Sequence, residues 1–450
     1  MNSQDQNCPY QILLPEWIVT VNSRFEVLTD CALVIKANKI HLIVEANKID
    51  NLDFIDQAKL YELPGQVLMP GLVNSHTHSS MSLFRGMADD LALMDWLNNH
   101  IWPAEEKWIN PQFITDGFEL SVAEMIRSGT TCMNDMYYYP DLVARSAQKI
   151  GMRTVVGLII LDFPTVWAQN ANDYLSKALA VNDEISELPL VSSALAPHAP
   201  YTVPDASLEK IAMYSSELKL PVHMHLHETA LEVIEAEKNT GKRPFERLDQ
   251  LNLVNPNLIA VHMTQLNENE IDRLAKTGAH VVHCPESNLK LASGICPVST
   301  LQNNEINICL GTDSAASNND LDMFSEMRTA ALLAKGSSGN AAACNAQQAI
   351  QMATINGAKA LGLSDDIGSI EIGKFADFIA VNMSDLNTRP LYDVVAQLVY
   401  TTNSRQVSHV WIDGVCQLEN YKFSRINEAD IIYKAKIWSN KISNAVSNER

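Results

Sequence analysis

Eight short apolar runs recur through the middle of the chain: Val67–Asn74, Thr130–Asp135, Thr154–Leu161, Val191–Ala196, Val222–Leu226, Leu258–His262, His280–Cys284 and Ile306–Gly311. Each has the length of a strand and is rich in Val, Ile, Leu or Met. Segments with helical spacing lie between them, among them Phe113–Ser128, Asp205–Leu218 and Glu268–Lys276. Strands apolar on both faces and separated by helices belong to a parallel sheet covered on both sides, and eight such units predict a (β/α)8 TIM-like barrel in the α/β class. The chain ends read differently. Trp17–Val21, Cys31–Lys36 and Lys39–Val44 near the start, and Phe378–Val381, Val407–Trp411 and Gly414–Leu418 near the end, are β-type runs broken by polar turns. The two ends are expected to pair into one small β-sandwich domain. The predicted division is 1–66 and 369–425 for its two parts, 67–368 for the barrel, and 426–450 for a polar helical tail.

Composition narrows the setting. With 46% hydrophobic and 19% charged residues in 450, the chain has material for a large core and is not disordered. Its 33 basic against 53 acidic residues leave a net charge of −20, which argues against nucleic acid or an anionic membrane as the partner. The start, with Asp5 and no early Lys or Arg, lacks the basic opening of a secretory signal, and no apolar run approaches the ~18 residues of a membrane span. The cysteines (Cys8, Cys31, Cys132, Cys284, Cys296, Cys309, Cys344, Cys416) form no C-x-x-C pair and read as reduced thiols. A cytoplasmic homo-oligomer, dimer or tetramer, is expected.

The histidines change the picture. Nine of twelve, His76, His78, His198, His223, His225, His227, His262, His280 and His283, fall in or just after a predicted barrel strand; His41, His100 and His409 do not. The C-terminal ends of barrel strands converge on one face, where active sites form. Histidines from strands one, four, five, six and seven should therefore meet there with Asp313, which follows strand eight. His76 and His78 form an H-x-H pair whose rings share one side of a strand. They are either metal ligands or satisfied core residues.

In Val222–Glu228 the same parity puts His223, His225 and His227 on one face, with His223 a layer deeper and His227 at the rim, both structural. His225 and Glu228 make an H-x-x-E that places a carboxylate just beyond the strand end. Asp313 could supply an oxygen ligand, cap the next helix, or do both. Neither strand three nor strand four ends in Lys, so a lysine bridging two metals is not expected. The run Gly368–Phe375 departs from a phosphate loop at Phe375 and reads as a turn. The G-x-S-x-G elbow and the H-x-E with P-C-x-x-C signature of zinc cytidine deaminases are both absent.

With these motifs the sequence resembles the amidohydrolase superfamily. The matching segments are PGLVNSHTHSSMSLFRG, HMHLHET, AVHMT, VHCPESNLKLASG, LGTDSAASNN and GSIEIGKFADF, in the superfamily's order over residues 10–420. APHAPY, SNLKLASG and TDSAASNN are most similar to the methylthioadenosine/S-adenosylhomocysteine deaminases, beside guanine and pterin deaminases and triazine hydrolases. The resemblance implies one divalent ion, zinc ahead of iron, on His76, His78, His225 and Asp313. It implies Glu228 as general acid/base, His262 as the residue orienting the attacking water, and Asp313 as a partner in that step. Glu105 would bind ribose hydroxyls, His198, Glu228 and Asp313 would contact substrate, and His283 and Ser317 would line the pocket. The implied reaction is deamination of a 6-aminopurine nucleoside to the inosine product and ammonia; a metal-free scaffold is the remote alternative. In one respect the chain departs from the pattern: Gly157–Asn170 holds no Arg or Lys where the family can place an Arg for a substrate carboxylate. Phe163, Pro164, Val166 and Trp167 suggest an apolar wall instead.

Overall fold

The computed structural model describes residues 9–448; Asp5 and Cys8 lie outside the described residues. Eight parallel strands follow one another round a nearly closed barrel: β1 (Leu72–Thr77), β2 (Thr130–Tyr137), β3 (Arg153–Ile160), β4 (Val191–Pro197), β5 (Val222–Leu226), β6 (Leu258–His262), β7 (His280–His283) and β8 (Ile308–Leu310). All residues of β1–β3 and β5–β8 are buried, as the unbroken apolar runs demand.

The order leaves β8 and β1 at its two ends, and side chains close the seam between them. Asn74 Nδ2 donates to Thr312 Oγ1 at 2.7 Å, Thr312 N donates to Asn74 Oδ1 at 3.0 Å, and Asp313 N donates to His76 O at 3.0 Å. Gly311 permits the approach, because a Cβ there would stand 2.8 Å from the His76 nitrogen.

The run predicted as the first barrel strand divides at Gly71. Val67–Pro70 finish a long strand, Ala58–Pro70, of the other sheet, and β1 starts only at Leu72. That other sheet has nine strands drawn from both chain ends. Phe378–Asn382 runs antiparallel to Ala58–Pro70, pairing Phe378 with Pro70, and Tyr10–Val19 lies on the far side of the same strand. Leu33, Phe378 and Trp411 belong to its own core. Arg153, at the entry to β3, ties this sheet to the barrel through a buried bidentate pair with Asp377, at 2.6 and 3.0 Å.

Helix Pro111–Arg127 starts where Asn110 accepts from Gln112 N and Phe113 N, with proline in its first turn, and buries Phe113, Phe118 and Val122. The tail forms helix Glu428–Asn448, anchored by Trp438, whose Nε1 donates to Asp116 Oδ2 at 2.9 Å. Among the described residues no helix is long and apolar enough to cross a membrane.

Candidate active site

His76 and His78 leave the end of β1, His225 leaves β5, His262 leaves β6, and Asp313 follows β8. The ligand atoms of His76, His78 and His225 lie within 4.8 Å of one another, as do those of His76, His262 and Asp313. Asp313 Oδ1 is 3.3 Å from both His76 Nε2 and His78 Nε2, and the Nε2 atoms of His78 and His225 are 3.3 Å apart.

Each ring is held by its other nitrogen. His78 Nδ1 donates to Met136 O at 2.5 Å, His225 Nδ1 to His198 O at 2.7 Å, and His262 Nδ1 to Asn288 Oδ1 at 2.8 Å. These bonds leave the Nε2 lone pairs facing inward, the arrangement that ligating histidines need. His76 Nε2 is buried without a hydrogen-bond partner, an orphan that a cation in the cluster would satisfy. Burial holds the His76 imidazole down at about 4 and that of His198 at about 3, so both stay neutral at pH 7. Burial also acts upward on Asp313, but the facing His76 and His78 outweigh it and keep the carboxyl well below its usual range.

Asp313 does not cap a helix. Its Oδ1 accepts from Ser314 N at 2.8 Å, and the next helix, Met323–Ser338, is capped by Asp322. Its Oδ2 accepts from Ser287 Oγ at 2.7 Å and from Ser317 Oγ at 3.1 Å. Backbone strain gathers at the same strand ends, with φ of +77° at His262 and +60° at Asp313.

Above the cluster opens a pocket holding 740 Å³ of empty space, including its mouth. His78, His198, His225, Glu228, His262 and Asp313 reach it from the barrel. Glu228 Oε2 lies 3.7 Å from His262 Nε2, its Oε1 accepts from Ser293 Oγ at 3.4 Å, and burial raises its pKa. Helices Leu93–Trp96 and Trp102–Trp108, joined by the wide turn Leu97–Ile101, lie across the opposite wall and supply Trp96, Ile101, Trp102 and Glu105. Glu105 Oε1 accepts from Tyr137 OH at 2.8 Å, and burial pushes its carboxyl up to about 7. Among the described residues no Lys or Arg lines this pocket.

Several expected residues stand elsewhere. Ser317 supports Asp313 from behind rather than lining the pocket, and His283 is buried off the wall with both ring nitrogens unpartnered. His227 is not at the rim: its φ of +53° turns the chain out of strand parity, and its buried ring accepts from Phe245 N at 3.1 Å. His280 opens β7, at the opposite end from the site, and pairs with Asn307. Of the four residues expected as an apolar wall, only Phe163 reaches the pocket, joined by Leu161 and Leu291. Tyr137, Tyr138, Trp96 and Trp102 also line the pocket, outside every motif of the sequence, and Asn288, within SNLKLASG, proves to be the residue that orients His262.

A (β/α)8 barrel whose strand ends gather four histidines and an aspartate has the architecture of the metal-dependent hydrolases. The chain belongs to the amidohydrolase family, whose profile matches residues 67–416. It is 49% identical over 431 residues to a 5-methylthioadenosine/S-adenosylhomocysteine deaminase of Saccharophagus degradans, covering 96% of each chain. It is 39% identical to a 5′-deoxyadenosine deaminase of Methanosphaera stadtmanae, covering 89% of this chain and 95% of that one. Among solved structures, an adenosine deaminase from Xanthomonas campestris with bound zinc superposes with a TM-score of 0.93 at 45% identity, covering 96% of this chain and 98% of that one.

Proposed function

We propose that this protein deaminates 6-aminopurine nucleosides whose 5′ substituent carries no charge, with methylthioadenosine ahead of S-adenosylhomocysteine. One observation carries the reading: a single pocket joins the His/Asp cluster and Glu228 at its floor to Glu105 on its wall, and among the described residues no Lys or Arg lines it. The relatives' names point the same way, since all three act on adenosine or a 5′-modified adenosine.

His76, His78, His225 and Asp313 would hold one divalent ion; three imidazole nitrogens and a carboxylate are a donor set that suits zinc. Such an ion acts as a Lewis acid that brings the pKa of a water toward ~7. The protein's own groups do the rest. Glu228, whose carboxyl pKa burial raises, gives a proton to N1 of the ring as the water oxygen bonds to C6. Asp313 and His262 hold that water and take its proton. The proton taken by Asp313 and His262 passes to the exocyclic nitrogen, the C6–N bond breaks and ammonia leaves, and the remaining hydroxyl proton returns to Glu228, leaving a 6-oxopurine protonated at N1. Glu105 accepts from the ribose hydroxyls, and His198 stands beside His225 on the substrate's side. Leu161 and Phe163 give the 5′ substituent an apolar surface.

The test is ammonia release from zinc-loaded protein across adenosine, methylthioadenosine, 5′-deoxyadenosine, S-adenosylhomocysteine, guanine and a triazine. Turnover of guanine or the triazine above every nucleoside would refute the proposal.

A further inference from the structure

We propose that His223 is a positioning residue for metal binding. By accepting a hydrogen bond at Nε2 from His76 Nδ1, it fixes the tautomer in which His76 presents a bare Nε2 to the cluster. The inference rests on the metal-binding reading above. Three of the four imidazoles in the cluster are oriented by oxygen atoms: Met136 O, His198 O and Asn288 Oδ1. An oxygen acceptor fixes the ring proton on Nδ1 without ambiguity. His76 differs. Its Nδ1 faces another imidazole nitrogen, His223 Nε2, at 2.8 Å, with the rings 4.9 Å apart and nearly perpendicular. A neutral imidazole nitrogen either donates or accepts, so the choice at this contact decides which nitrogen of His76 is bare.

If His223 donated, His76 would carry its proton on Nε2, facing the cluster, and could not ligate. If His223 accepts, its own proton sits on Nδ1. That atom is buried and has no partner. His223 Nδ1 is unpartnered whichever way the inner bond runs, so the direction is decided at His76, whose Nε2 must be bare to ligate. Asp313 Oδ1, 3.3 Å from His76 Nε2, would welcome a proton there in the absence of a cation, so the direction of the inner bond is not trivial. The apolar parity of β5 explains how His223 comes to lie there, one layer below His225 on the same strand face. It does not explain why the position holds an imidazole rather than a hydrocarbon.

The test compares wild type, His223→Phe and His223→Gln for zinc affinity by chelator competition, with the melting temperature of the metal-free protein as the control for folding. Losing an outer partner of a ligating histidine typically weakens binding about 10–100-fold. His223→Phe should show that loss while melting like wild type when metal-free. His223→Gln, whose amide oxygen can accept from Nδ1–H, should recover to within roughly threefold of wild type. A Phe variant that binds zinc as wild type does, or a Gln variant as weak as Phe, overturns the proposal. If the Phe variant does not fold, nitrogen-15 NMR of histidine-labelled, zinc-loaded wild type decides: His223 protonated on Nδ1 supports it, and protonated on Nε2 overturns it. Wild type that binds no zinc would overturn the metal reading and this proposal together; tight wild-type binding with an unaffected Phe variant overturns this proposal alone.

Discussion

Replacing Glu105 by Gln separates what this carboxyl costs the fold from what it gives the substrate. The group is buried in the pocket wall with Tyr137 OH as a donor, and burial lifts its pKa from the ordinary 4.5 to about 7. The folded protein therefore binds this proton more tightly than the unfolded chain. Stability from this group is lost as pH rises through that interval and stays lost above it. At ~1.4 kcal/mol per tenfold in proton affinity, the gap sets a ceiling of about 3 kcal/mol on the cost of ionising it. Water entering through the pocket mouth brings that to on the order of 1–3 kcal/mol. Glu105→Gln should consequently raise the melting temperature of the ligand-free protein at pH 8 while leaving it nearly unchanged at pH 4.5. Activity should move the other way. Gln keeps one acceptor but loses the charge, and a hydrogen bond to a charged group is worth roughly 1.5–3 kcal/mol. The kcat/KM for a riboside should fall about 10–150-fold, while that for the 2′-deoxy analogue, already short of one hydroxyl, should fall far less. Melting curves across pH and ammonia release from the paired substrates measure both arms. Equal losses on the two substrates would refute the contact between Glu105 and the ribose, and a melting profile with unchanged pH slope would refute the burial argument.

Other consequences can be checked in the same assays. Glu228→Gln should keep its fold and metal but lose on the order of 10²–10⁴-fold in kcat; a variant within tenfold of wild type would mean that another group moves the proton. His225→Ala should lose the metal itself, read by elemental analysis, which separates ligand from acid within one H-x-x-E. Methylthioadenosine should exceed S-adenosylhomocysteine about 10–100-fold in kcat/KM, because among the described residues no Lys or Arg in the pocket meets the homocysteine carboxylate; the reverse order would show that a cation arrives from elsewhere. Chelation should abolish turnover and leave the barrel's circular dichroism intact, with activity restored by one equivalent of zinc.

Much of this site was legible because strand parity and barrel geometry are strict. His76, His78, His225, His262 and Asp313 all sit at strand ends whose apolar runs stand out in the sequence, and their convergence follows from the eightfold order. Parity failed where the strand stopped earlier than the pattern suggested. His227 continues the alternation of β5 in sequence, yet its positive φ has already turned the chain. The run Val67–Asn74 looked unbroken because Pro70 and Gly71 sit between two apolar stretches, although that dipeptide is itself a turn signal. The pocket cover was unreadable for another reason. Trp96 and Trp102 lie on short helices inserted after β1, outside the barrel repeat, and nothing in their spacing says which strand ends they overhang; Glu105, on the same insertion, is reached through the family resemblance alone. Asn288 and Ser293 answer to β6 and β5 across the fold, and pairings of that kind leave no local mark.

The seam between β8 and β1 gives the site a place in time. Asn74 and Thr312 are 238 residues apart, and Asp313 must travel as far to meet His76. On a chain emerging from the ribosome, the H-x-H pair appears first, His225 joins it about two-thirds of the way through the barrel, and the carboxylate arrives last. Contacts this distant in sequence form late, because each must first overcome the entropy of closing a long loop. Until β8 docks, the early histidines are an incomplete chelate with weak hold on an ion. Tight metal uptake is thereby a report that the last strand has found the first, and a nascent or truncated chain ending before Ile308 should bind zinc poorly even with every histidine of the cluster in place.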